Sequence, residues 1–204
     1  LWKINENAEL NGMFKGAELM QTHQAFSANP TFSDFNQFKP ITDKDSLNTA
    51  LEAWIEDQDE AAAIYGDINN WDVSSITDFS NLFEGKTTFN SDISNWDVSN
   101  GTDFSSMFKH AEAFNQDIGS WDVSNGTDFS EMFSNVYVFN QDIGSWDVSN
   151  GSDFGGMFAN AEAFNQNTGN WDVSNGTFFS GMFAKAKAFN QDIGSWDVSN
   201  GTDF

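Results

Sequence analysis

The chain has no cysteine, no arginine, two prolines and no long hydrophobic run. Without cysteine there is no disulfide and no thiolate chemistry, though this leaves the redox compartment open. Eight basic residues, all lysine, stand against 31 acidic ones, for a formal net charge of -23. Nucleic-acid binding needs a basic face, and arginine in particular for bidentate phosphate contacts. No nucleic-acid partner is therefore expected, and no anionic membrane surface. No stretch approaches the ~20 apolar residues that span a bilayer, so no membrane insertion is expected. Catalytic constellations are missing too. His23 and His110 are isolated, with no second ligand at metal spacing. No histidine recurs where it would activate one of the many serines. Carboxylate pairs repeat everywhere, whereas a catalytic pair is unique. The chain is not expected to be an enzyme, and no cofactor is expected.

What is present is a beat. Trp71, Trp96, Trp121, Trp146, Trp171 and Trp196 recur every 25 residues, each followed by Asp and Val. A fixed period of this size is the signature of a repeat array. Each unit is too small to bury its own apolar face and must stack on copies of itself.

Three regions follow. Residues 1–20 read as a degenerate repeat, with Trp2, Ile4, Leu10, Met13, Phe14 and Met20 on the positions of Trp121, Val123, Phe129, Met132, Phe133 and Phe139. Residues 21–66 read as a loop carrying both prolines, then a helix that serves as cap or spacer. Leu47, Ala50, Leu51, Trp54 and Ile55 have the spacing of an amphipathic stripe. Thr42 and Asp45 resemble a capping box, and Gly66 stops a short turn through Ala61–Ala63. Residues 67–204 are the regular array. The chain opens Leu1-Trp2-Lys3 without an initiator Met and both ends fall mid-repeat. The expectation is a longer chain, or subunits stacked end to end.

Within a unit, Trp121, Val123 and Asn125 alternate with Asp122 and Ser124, which predicts a short strand over 120–124. Phe129, Met132 and Phe133 have the spacing of one helical turn, capped by Thr127 or Asp128. The expected fold is a parallel solenoid of leucine-rich-repeat-like coils, each a short strand plus a short helical turn, with a continuous spine through Phe104, Phe129, Phe154 and Phe179. Burying each ring fully stabilises by about 1.5–3 kcal/mol.

Ile-x-x-Trp-x-Val resembles the Leu-x-x-Leu-x-Leu of leucine-rich repeats. More closely, Met132-Phe133, Phe139-Asn140-Gln141-Asp142-Ile143 and Trp146-Asp147-Val148-Ser149-Asn150 resemble the 25-residue repeat of BspA-like surface proteins, also found in mycoplasma-type lipoproteins. The likeness covers 64–204 strongly and 1–20 weakly. The sequence departs from that pattern in carrying Gly101, Gly126, Gly151, Gly176 and Gly201 where the family usually has Val, and Phe104 and its equivalents where it usually has Met. The resemblance implies an extracellular or cell-surface protein used for adhesion or surface structure.

Several side-chain columns are candidate sites. Asp72, Asp97, Asp122, Asp147, Asp172 and Asp197 line the outer side of the expected strand, where a hard cation such as calcium would find carboxylates. The alternative is that each Asp bonds to local backbone, which the lack of a glycine-rich calcium-loop pattern favours. Two further acidic columns are broken, one by Asn167 and one by Phe178, which favours the local role for those. Asn100, Asn125, Asn150, Asn175 and Asn200 each open an Asn-Gly-Thr/Ser triplet. They are either glycan acceptors or, pointing inward by strand parity, an asparagine ladder between coils.

Two functions are expected from this. The first is a structural building block of an extracellular fibre or layer, self-associating or stacking on neighbouring repeats. The second is an adhesin module binding a surface peptide or glycan, with Phe178 in the odd repeat as the candidate contact.

Overall fold

The computed structural model describes residues 38–204, which form one unit. The degenerate repeat at 1–20 and most of the loop at 21–41 lie outside the described residues.

Helix α1, Lys44–Glu56, starts on Asp43 rather than Thr42: Asp43 Oδ1 accepts from the Ser46 N–H at 2.8 Å, and Ser46 Oγ accepts from the Asp43 N–H at 3.0 Å. Its buried stripe is Leu47, Ala50, Leu51 and Trp54, while Ile55 is exposed. Asp57 ends α1 and caps α2, Gln58–Tyr65, through the Asp59 and Glu60 N–H groups. Gly66, at φ 82°, then turns the chain in the left-handed region that suits glycine. A single 3₁₀ turn, Ile68–Asn70, leads into the first coil.

The two helices lie over that first coil. Trp54 packs edge-on against Trp71 with centroids 5.9 Å apart, and its Nε1 donates to Ser91 Oγ at 3.0 Å. Lys44 Nζ reaches Asp78 and Ser80 at 2.6 Å, and Lys86 pairs with Glu52. This end of the stack is therefore covered by both apolar and ionic contacts.

From residue 67 onward the chain winds in coils of 25 residues, but not in the expected solenoid of leucine-rich-repeat-like coils. Among the described residues there is no β-strand, and α1 and α2 are the α-helices. Extended pairing between coils is reduced to single parallel bridges through Asp78, Asp103, Asp128, Asp153, Phe178 and Asp203. The alternation expected over 120–124 is cut short because Asp122 Oδ1 accepts from the Ser124 N–H at 3.0 Å and Gly126 N–H donates to Val123 O at 2.8 Å. A turn forms before a strand can.

The helical turn expected after Phe129 is lost to a different competitor. Glu131 and Asn135 take positive φ (54° and 61°), as do their counterparts in the other coils. That geometry aims alternate N–H groups at the next coil: Phe129 to Asp153 O, Glu131 to Gly155 O, Phe133 to Met157 O and Asn135 to Ala159 O, at 2.8–2.9 Å. A backbone donor used between coils cannot serve an i−4 helical bond. Asp128 retains a capping role, accepting from the Ser130 N–H at 2.9 Å.

The core is aromatic. Phe79, Phe104, Phe129, Phe154, Phe179 and Phe204 stack with centroids 5.5–5.7 Å apart. Two more columns run through Phe83–Phe108–Phe133–Phe158–Phe183 and Phe89–Phe114–Phe139–Phe164–Phe189. The buried tryptophan indoles need an acceptor. Trp96, Trp121, Trp146 and Trp171 find it in the carbonyls of Ile68, Ile93, Ile118 and Ile143, at 2.7–3.2 Å.

The glycine column has a steric cause. A Cβ on Gly126 would sit 2.3 Å from Phe129 Cζ and 3.0 Å from Val123 O, and Gly101, Gly151 and Gly176 are equally crowded by Phe104, Phe154 and Phe179. The phenylalanine ring fills the space a side chain would need. The Gly and Phe departures from the surface-protein pattern are thus one coupled exchange of volume.

Candidate functional site: the side-chain columns

The Asp72 column lies on the outside of the stack and is bound locally. Asp72, Asp97, Asp122, Asp147, Asp172 and Asp197 each accept, through Oδ1, from the backbone N–H of the serine two residues on, at 3.0–3.1 Å. The hydroxyls of Ser74 and Ser99 add bonds of 2.6 Å. The serine hydroxyl, then the serine N–H, hold Asp72, Asp97, Asp122 and Asp172 below the usual carboxylate range, and at Asp197 the N–H leads. One oxygen of each carboxylate is committed to its turn. Among the described residues, no three His, Asp or Glu side chains gather into a group able to hold a metal ion.

The other two acidic columns show what that role requires. Asp117, Asp142 and Asp192 accept from the N–H of Gly119, Gly144 and Gly194, and Asn167 accepts from Gly169 in the same way at 2.9 Å. The turn needs an oxygen and not a charge. In the third column, Asp103 and Asp128 each receive both the N–H and the hydroxyl of a serine. Asp153 is followed by Gly155, which supplies an N–H alone. Burial, with the charge of Asp128, pushes the Asp153 carboxyl up despite that bond. At Asp78 burial also pushes upward, but Lys44 and Ser80 together bring the carboxyl below its ordinary value.

The asparagines are exposed, not inward, because the strand parity that would turn them in ends at the 123–126 turn. Asn100 Nδ2 nevertheless donates to Ser74 O at 2.8 Å, and Asn125, Asn150, Asn175 and Asn200 reach the Ser99, Ser124, Ser149 and Ser174 carbonyls at 2.7 Å. Each amide bridges one coil to the one before. The ladder uses one Nδ2 hydrogen, and an N-linked amide would keep one, so the geometry serves both alternatives.

Phe178 is 47% exposed, its backbone bridged to Asp153 and Asp203. The same repeat carries a second oddity in its core. Thr168 stands in the column of Ile118 and Ile143, fully buried, with an Oγ1 that has no hydrogen-bond partner among the described residues. His110 is exposed and takes positive φ like its column, with its N–H on Ser134 O. His23 lies outside the described residues.

Two features were missed by sequence reasoning. One is a polar ladder in the return bend: Asn115, Asn140, Asn165 and Asn190 donate their N–H to the Oδ1 of Asn90, Asn115, Asn140 and Asn165, at 2.9–3.0 Å. The Phe-Asn pair recurring every 25 residues, from Phe89-Asn90 to Phe189-Asn190, was its signal. The other is an apolar surface formed by side chains between residues 179 and 204. Phe179, Met182, Phe183, Ile193, Trp196, Val198 and Phe204 line an apolar cavity of about 420 Å³ there. Phe183 and Phe189 are only partly buried, whereas Phe158 and Phe164, one coil earlier, are fully so.

The columns repeat through the stretch that matches the model of a Mycoplasma protein family of unknown function, DUF285, over residues 49–167 and 129–204. The chain belongs to this family. The match starts inside α1 and runs through the coils to Phe204, so it takes in most of the cap as well as the array. No curated protein and no solved structure matches the chain.

Proposed function

We propose that this chain is a structural protein of the BspA-like kind, a building block of an extracellular or cell-surface fibre or layer in which 25-residue coils stack within and between chains. The carrying observation is self-complementarity. Each interior coil offers the next the same Phe and Trp columns, the same backbone donors and the same asparagine amide. A surface made to receive its own copy is what a scaffold needs, and the acidic outer columns keep assembled units soluble.

Electron microscopy of the purified chain, with and without a calcium chelator, tests this. Fibres or sheets are the expected result. Discrete monomers under all conditions overturn it. Loss of assemblies in chelator alone would assign a cation role to the Asp72 column.

A second reading, a ligand-binding adhesin module, is favoured by one observation: the exposed ring of Phe178 breaks an otherwise acidic column. Phe178→Asp restores the column residue and leaves the coil intact. Binding to a peptide or glycan array that disappears in this variant would support the reading, and unchanged binding would sink it.

A further inference from the structure

The glycine that the core demands makes the residue before it chemically labile. Phe104, Phe129, Phe154 and Phe179 fill the space that a Cβ on Gly101, Gly126, Gly151 and Gly176 would need, so the backbone nitrogen there has no side chain to shield it. Asn100, Asn125, Asn150 and Asn175 precede these glycines and are exposed to water. An unshielded glycine nitrogen is well suited to attack the amide carbon of a preceding asparagine. The stack holds that reaction off at three points. Each glycine N–H is tied into its own turn, donating to Val98, Val123, Val148 or Val173 O at 2.7–2.8 Å. Each asparagine Nδ2 is tied to the coil before, on a serine carbonyl at 2.7–2.8 Å. The residue after each glycine is tied to that coil as well. Thr102, Thr127, Ser152 and Thr177 donate their N–H groups to Thr77, Thr102, Thr127 and Ser152 O at 2.8 Å. The dipeptide is free to close on itself only where two coils part.

We propose that Asn100, Asn125, Asn150 and Asn175 form a column of spontaneous modification sites, held unreacted by the stacking of coils and converted when a coil opens. In the step, Gly126 N gives up its proton and bonds to Asn125 Cγ. The Cγ–Nδ2 bond breaks and the amide departs as ammonia, taking up a proton. Solvent water then opens the five-membered imide at either carbonyl, leaving aspartate or isoaspartate. Neither product returns to the ladder. A carboxylate has no hydrogen to give, so two acceptors, its own oxygen and Ser99 O, would face each other where a bond of 2.7 Å stood. Each conversion also adds a negative charge to a chain already at -23. The isoaspartate form adds a carbon to the main chain of a turn already packed against Phe129. The damage has a direction. Ser124 O, the acceptor for Asn150, lies in the same turn as Asn125, so loosening that turn weakens the hold on the next asparagine. The column records how often coils have parted, and conversion at one coil promotes conversion at the next.

The test uses the full wild-type chain. One sample is kept folded in mildly alkaline buffer, a second is unfolded in urea, and peptide mapping by mass spectrometry follows each asparagine over time. The rate scales with the fraction of open coil, so Asn125 and Asn150 should convert at least about tenfold more slowly in the folded sample. In urea, Asn115, Asn140 and Asn165 precede glutamine, whose side chain shields the nitrogen, and should lag the Asn-Gly sites by about tenfold. Equal rates at Asn125 in the two samples overturn the proposal, as does an unfolded chain whose Asn-Gly sites stay intact. Spreading is read in two variants: Asn125→Asp, which mimics one product, and Asn125→Ala, which removes the amide without adding charge. Melting of each checks that the coils remain folded, and the wild-type comparison decides the lock even if neither does. In the folded variants Asn150 should convert several-fold faster than in wild type, while Asn175, one coil further on, keeps its rate. An unchanged rate at Asn150, or equal acceleration of Asn150 and Asn175, overturns the spreading.

Discussion

The coil around Phe133 and the coil around Phe183 have nearly the same sequence and different environments among the described residues. Phe133 is fully buried between Phe108 and Phe158, whereas Phe183 has Phe158 on one face and is partly exposed on the other. Position in the stack, more than residue type, sets what each group contributes. Stability in such an array is a sum of unit terms and interface terms, so a residue's contribution follows how many neighbouring coils pack on it.

The largest expected effect breaks the comparison at its core. Phe133→Ala should destabilise by about 3–5 kcal/mol, the range for removing a buried aromatic ring, in a denaturant melt. Phe183→Ala should cost less than half of that. Equal losses would mean that Phe183 is packed as tightly as Phe133.

A steric pair sharpens the same point. A Cβ at Gly126 meets Phe129 Cζ at 2.3 Å, and a Cβ at Gly201 meets Phe204 Cζ at the same distance. Phe129 is fully buried and cannot yield, while Phe204 is 69% exposed and free to swing away. Gly126→Ala should therefore cost about 1–3 kcal/mol. Gly201→Ala should change the melting temperature little.

Within the core, Thr168 is a fault that can be repaired. Among the described residues its hydroxyl is buried without a partner, in a column of isoleucines. Thr168→Val removes the hydroxyl at nearly constant volume and should stabilise by about 1 kcal/mol. A loss of stability would show that the hydroxyl has a bonding partner after all.

Acidity gives the smallest effect and tests the outer columns. The lowered carboxyls of Asp72, Asp97, Asp122, Asp172 and Asp197 contribute stability that is present above their unfolded value of about 3.9 and is lost as pH falls through their lower folded values. Asp153 has the opposite sign: its raised carboxyl costs stability when charged, and protonation relieves it. Melting temperature should hold or rise slightly from pH 7 toward the mid-4 range as negative charge falls, then drop below about pH 4. Asp153→Asn, which keeps the turn acceptor as Asn167 does, should raise stability at pH 7 by no more than about 0.5 kcal/mol.

Much of this was legible in the sequence. The period fixed the coil, the i, i+3, i+4 stripe fixed the buried face of α1, and the aromatic positions fixed the spine. What misled was local periodicity. Trp121-Asp122-Val123 alternates like a strand and Phe129-Met132-Phe133 spaces like a helix, yet both are turns. The deciding factors were Asp122, which captures the Ser124 N–H, and the positive φ at Glu131 and Asn135, which diverts backbone donors to the next coil. Glutamate carries no local sign of a left-handed backbone. Comparing columns does: the Glu131 position is Gly156 and Gly181 in later coils, and the Asn135 position is Gly85 in the first. The outward turn of the Asn100 column was hidden for the same reason, since parity arguments apply only to extended chain.

Native-state amide hydrogen exchange, at a concentration where the chain is monomeric, tests the stacked-coil account most directly. Strong protection is expected at Glu131, Phe133 and Asn135, whose N–H groups bond to the next coil, and rapid exchange at Asp122 and Asn125, exposed residues whose N–H groups have no acceptor among the described residues. Uniform protection across both sets, or rapid exchange at Glu131, Phe133 and Asn135, would contradict it.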